Sequence, residues 1–112
     1  MSYVVRRGSG VRRDMDSVQL ENIVTAQHGL GGSLARATIG GPHGPTMNTK
    51  CNRIYHVLAG HCTADVAGVR ITAEAGDTIL VPKGTEHSLV GEAEYLVINV
   101  PEFDPSTEVA RP

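Results

Sequence analysis

The chain has 112 residues, 40% hydrophobic and 20% charged, with a formal net charge of −2. That length supports one hydrophobic core, so a single domain over 1–112 is expected. The near-neutral balance argues against nucleic acid, and no apolar run approaches the roughly 20 residues of a membrane helix. Arg6-Arg7 and Arg12-Arg13 read as solvated faces rather than a binding patch. The opening MSYVVRRGSG carries charge without an apolar stretch, which predicts no secretory signal. Cys51 and Cys62 make neither a disulfide scaffold nor a CxxC zinc pair. The expectation is a small, soluble, cytoplasmic protein.

In chain order, Tyr3–Arg7 is the first expected strand. Val11–His28 lacks Gly and Pro and is long enough for a helix. Leu20, Ile23 and Val24 make an apolar stripe there, but Val18, Leu20 and Asn22 fit a strand about as well, and the stretch stays open. Strands are then expected at Leu34–Ile39, Arg53–Leu58, Cys62–Val66, Val69–Thr72, Thr78–Val81, Ser88–Val90 and Glu94–Val100. Cys62, Ala64 and Val66 alternate with Thr63 and Asp65 at period two. Turn signals separate these runs at Gly40-Gly41-Pro42, Gly44-Pro45, Gly60, Ala67-Gly68, Gly76-Asp77, Pro82-Lys83-Gly84 and Gly91. Short strands punctuated in this way indicate an all-β sandwich or barrel. The tail Pro101–Thr107 is punctuated by proline and is expected to lie over the surface, with Phe103 as its anchor.

One segment is more specific. From Gly76 the chain reads GDTILVPKGTEH. Gly76-Asp77 is a tight turn into a buried strand, Pro82 ends that strand, Gly84 permits another turn, and His87 opens the next strand. This spacing resembles the second signature motif of the cupin family. At this composition the four fixed residues would coincide by chance in only a few chains per thousand, roughly. Upstream, Arg53-Ile-Tyr-His-Val-Leu-Ala-Gly60 resembles the end of the first cupin motif. The text from His43 to Leu58 and from Pro101 to Pro105 is also similar to a group of small stand-alone cupins. The resemblance covers residues 34–101. It implies an all-β, cupin-like jelly-roll β-barrel (a double-stranded β-helix).

In that alignment the family's glutamate ligand falls on Arg53. The paired histidines would fall at Thr46 and Asn48, or at Met47 and Thr49. A divalent ion needs three or four N/O donors at about 2.0–2.2 Å, and of the motif's ligands only His87 remains. Arg53 places a permanent cation where the ion would sit. No metal cofactor is therefore favoured; if a divalent transition metal is present, His87, His43, Cys51 and Asn48 are its expected donors.

With the glutamate position pointing inward, period two sends Arg53, Tyr55 and Val57 into the barrel and Ile54, His56 and Leu58 outward. His87 and Leu89 join them from the second motif. His87 is the expected general base, Tyr55 a possible acid, and Arg53 a clamp for a substrate anion. A structural role for Arg53, pairing with Glu86 or Glu94, is the competing reading. Asn48, His43 and Leu89 complete the expected binding set, while His28, His56 and His61 receive no role. The leading function is a metal-independent enzyme moving protons on a small anionic metabolite, of isomerase, epimerase, cyclase or lyase type. The alternatives are a metal-dependent cupin dioxygenase or lyase with atypical ligands, and a non-catalytic module binding a sugar or organic acid. Exposed edge strands lead us to expect a homodimer.

Overall fold

Apolar residues alternate along most of this chain, and the backbone follows that alternation into strands. The computed structural model describes residues 3–15 and 17–110. It has eight strands: β1 (Val11–Met15), β2 (Val18–Val24), β3 (Ser33–Asn48), β4 (Asn52–Val66), β5 (Val69–Glu74), β6 (Thr78–Val81), β7 (His87–Val100) and β8 (Glu108–Ala110). Single 3-10 turns cover Ala26–His28 and Pro105–Thr107. No helix is long and apolar enough to cross a membrane among the described residues. The stretch left open between helix and strand is the β1–β2 hairpin. Its register sets buried Val18 opposite Ile39, which a helix could not do.

Every ladder is antiparallel, in the order β1-β2-β3-β7-β4-β5, with β6 added to β4 and β8 to β3. Buried residues of β2 to β7 nonetheless meet in one cluster built around Ile39, Val57, Ala64 and Leu89. A single sheet can bury one face against itself only by curling, which gives the jelly-roll form. The hydrogen-bonded path stays open, because no ladder joins β1 to β5 among the described residues.

Two expectations are corrected. Tyr3–Arg7 belongs to no strand and its side chains are exposed. Gly40 to Pro45, Gly60 and Gly91 do not end strands; β3, β4 and β7 run through them. They are bends rather than turns. A Cβ on Gly60 would sit 2.1 Å from the carbonyl oxygen of Glu92, and one on Gly91 would sit 2.5 Å from that of His61. Both glycines have positive φ, so they let β4 and β7 press together where the sheet folds over.

Candidate active site

The inward face of β4 follows the period-two reading. Arg53, Tyr55 and Val57 are buried, Ile54 and His56 are half-buried, and Leu58 is exposed. His56 turns away and meets Thr78 Oγ1 at 3.0 Å. His87 is positioned by the turn after β6, where Gly84 N–H donates to Asn48 O at 2.7 Å and Thr85 N–H donates to Pro82 O at 3.2 Å. The segment from Gly76 to His87 thus ties β4 to the start of β7.

A cavity of about 390 Å³ lies on this face, walled in part by His43, Arg53, Tyr55, Asn99, Phe103 and Glu108. That volume suits a small metabolite. Tyr55 lines the cavity and its hydroxyl lies 2.9 Å from His87 Nε2. His87 Nδ1 lies 3.1 Å from Thr85 O. A carbonyl oxygen only accepts, so Nδ1 carries the proton of the neutral ring and Nε2 accepts from the Tyr55 hydroxyl. Burial lowers the proton affinity of His87, and the charge of Arg53 adds to this, against the opposing bond to Thr85. Burial pushes the Tyr55 phenol up, while neighbouring Arg53 pulls it back down. At neutral pH the pair therefore rests as phenol and neutral imidazole. Tyr95 packs edge-on against Tyr55, with ring centroids 5.5 Å apart, and helps fix the ring.

Arg53 is 6% exposed and makes three side-chain hydrogen bonds. Its Nη1 and Nη2 donate to the two carboxylate oxygens of Glu108 at 3.0 and 2.8 Å, and its Nε donates to Asn99 Oδ1 at 2.7 Å. Phe103 lies 5.7 Å from the guanidinium carbon. Glu108 is held from the other side by Asn48 Nδ2 at 2.9 Å and Thr46 Oγ1 at 2.8 Å. Burial would raise the carboxyl of Glu108, but the hydrogen bonds and charge of Arg53, with Asn48 and Thr46, hold it at about 2. Burial would likewise lower the guanidinium's proton affinity, and Glu108 more than reverses this.

These shifts predict how stability responds to acid. Glu108 has a folded value of about 2 against an ordinary 4.5, so its contribution is complete above pH 4.5 and is lost as pH falls towards 2. That difference corresponds to roughly 3 kcal/mol. His87, kept neutral by the fold, also loses its contribution on acidification, starting near its ordinary 6.5. Urea titrations from pH 7 to pH 3 should show both losses, and Glu108→Gln should remove only the lower one. An unchanged slope below pH 4.5 in that variant would contradict the assignment to Glu108.

The structure brings most of the expected residues together and corrects the rest. Arg53 and Tyr55 face the cavity, and His43 lines it. His87 is not in its wall but one hydrogen bond behind Tyr55. Leu89 is core, because β7 carries it opposite Ala64 in the packed part of the sheet. Asn48 does not face the cavity; its oxygen accepts from the backbone of Lys50 and Cys51, and its amide fixes Glu108. Cys51 is buried beside Glu102 O, and burial raises its thiol. Neither Glu86 nor Glu94 is the ion-pair partner of Arg53: Glu94 pairs with Arg36, and Glu86 lines a different pocket. The tail over Pro101–Thr107 is anchored by Phe103 and exposes Pro105 and Ser106, but it does more than cover the surface, since Phe103 and Pro105 wall the cavity. Substrate is therefore not needed to neutralise Arg53, and the expected anion clamp is already filled from within the chain.

These donors do not fit the divalent ion typical of the fold. Both nitrogens of His87 are committed, Asn48 faces away, and a cation occupies the glutamate position. No cluster of three or more His, Cys, Asp or Glu suited to an ion occurs among the described residues.

No curated protein sequence matches this chain significantly. Among solved structures, the nucleoside dehydratase Pac13 superposes with a TM-score of 0.89 at 19% identity, over 99% of this chain and 92% of its own. Forms of Streptomyces PAC13 with a tyrosine or a histidine replaced, each with uridine, superpose similarly. A protein from Planctomyces limnophilus gives 0.86 at 22% identity over 96% of both chains. KdgF from a Halomonas species gives 0.77 at 15% identity, over 95% of this chain and 99% of its own. At these identities the likeness is one of fold. The sequence itself matches the cupin domain family over residues 36–99, more than half the chain, and the protein belongs to that family.

Proposed function

We propose that this cupin is a metal-independent enzyme that moves a proton on an uncharged small molecule through Tyr55 and His87. The observation that carries the reading is the 2.9 Å contact between the hydroxyl of Tyr55, on the cavity wall, and Nε2 of His87 behind it. Nδ1–H is held by Thr85 O, so the nitrogen of His87 turned towards the site is Nε2, and its partner there is the Tyr55 hydroxyl. A carbon acid bound in the cavity gives its proton to the phenol oxygen as the phenol's own proton passes to His87. The reverse transfer returns a proton either to another carbon, which is isomerisation, or to a departing hydroxyl, which is dehydration. Arg53 partly offsets the burial that raises the Tyr55 phenol, which eases passage of its proton to His87, while the charge left on the substrate spreads onto its own carbonyl oxygen. A lyase of the dehydratase kind is favoured by the likeness to Pac13, a nucleoside dehydratase, across nearly the whole chain.

The test is proton exchange. Uncharged β-hydroxy aldehydes and ketones, including sugars, are incubated with the protein in D₂O and followed by mass spectrometry. We expect deuterium at carbon or loss of water. Saturable binding with neither would make the protein a binding module and end this reading.

A further inference from the structure

We propose that Glu108 sets the charge of the ligands this cavity accepts: by occupying the fork of Arg53 it closes the site to carboxylates and phosphates and leaves it to uncharged, hydroxyl-bearing molecules. The inference deepens the proton-transfer reading and rests on the same cavity.

Among the described residues, the Arg and Glu side chains lining the cavity are Arg13, Arg53 and Glu108, with no Lys or Asp beside them. Arg13 is exposed on the edge strand β1, where water screens it. Arg53 is the buried cation, and a guanidinium presents the two-pronged geometry that carboxylates and phosphates prefer. Left alone it would be an anion site. Glu108 fills that geometry with both oxygens, and it reaches Arg53 from a segment outside the curled sheet's long strands. Its position is built rather than incidental. Asn48 and Thr46 hold one carboxylate oxygen each, Thr107 bonds back to Asp104 O at 2.8 Å, and Phe103 covers the guanidinium. An incoming anion would have to displace a carboxylate held by four such bonds. It would also have to lie beside the negative charge it displaced. What remains for a ligand are uncharged polar groups such as Ser33, Asn22 and Tyr55, over apolar walls.

The measurement uses acetate and inorganic phosphate as probes and the side-chain Nε–H signal of Arg53 in ¹⁵N NMR as the reporter. In the wild-type protein the signal should stay still with either anion. In Glu108→Ala it should move saturably with acetate, at least tenfold more tightly than any wild-type response. The response should vanish in Glu108→Ala/Arg53→Met when followed by thermal shift. If Glu108→Ala does not fold in neutral buffer, acetate-dependent refolding is the same positive result. A wild-type Arg53 signal that titrates with acetate or phosphate overturns the proposal, as does a Glu108→Ala variant that neither shifts nor refolds with acetate. None of these readouts requires turnover, so failure of the exchange experiment in D₂O leaves the result interpretable.

Discussion

Tyr55→Phe is expected to lower turnover by roughly 100- to 10,000-fold, the usual range for loss of a positioned proton-transfer group. The substitution removes one oxygen and keeps the ring packed edge-on against Tyr95. It leaves His87 Nε2 buried without its donor, which costs about 1–3 kcal/mol of stability. The two effects are separable. His87→Gln also removes the base but retains hydrogen-bonding capacity towards both Thr85 O and the Tyr55 hydroxyl, so its turnover should fall as far while its urea midpoint moves less. Steady-state rates and denaturation curves on both variants decide the matter. Near-normal turnover in Tyr55→Phe would show that the pair is structural.

Glu108→Ala is expected to cost the fold about 3–5 kcal/mol, because it leaves a buried guanidinium that cannot shed its charge. Arg53→Ala should cost less, since Glu108 is more exposed, at 23% of its side chain against 6% for Arg53, and can rehydrate or take up a proton. Against a total stability of about 5–15 kcal/mol, either loss is large. The double variant Arg53→Met/Glu108→Leu should recover much of it, since buried ion pairs are often replaceable by packed apolar residues. Equilibrium urea unfolding of the wild type, Arg53→Met, Glu108→Leu and the double variant forms the cycle. Additive losses, with no coupling between positions 53 and 108, would mean that the pair contributes little.

The sequence reading was reliable where periodicity was long and the motif dense. The resemblance to the cupin motif supplied the inward position at Arg53, from which period two placed Tyr55 inward as well, and the segment from Gly76 to His87 indicated where the next strand opens. Glycine misled at Gly60 and Gly91, because close approach between two continuous strands asks for the same residue as a chain reversal does. His87 came out on the right strand but one bond too near the cavity, a difference of side-chain order that spacing does not encode. Leu89 shares its face along β7, yet the cavity ends before reaching it. Glu108 was not legible at all. It lies past the part of the chain that resembles the family, follows two prolines, and belongs to a three-residue strand too short to show a period. Only the pairing of β8 with Thr46, Met47 and Asn48 brings it to Arg53.

The ion pair also ties distant parts of the chain together. Arg53 and Glu108 are 55 residues apart, so the counter-charge is remote in sequence from the strand that needs it. β4 and β7 have the apolar residues to begin collapsing without β8, but complete burial of Arg53 before Glu108 docks would leave its charge unmatched. Closing so large a loop carries an entropic cost that the ladders alone must meet first. Until β8 docks, Arg53 lacks the carboxylate that matches its charge, so a strand of three residues completes the burial of the cavity wall.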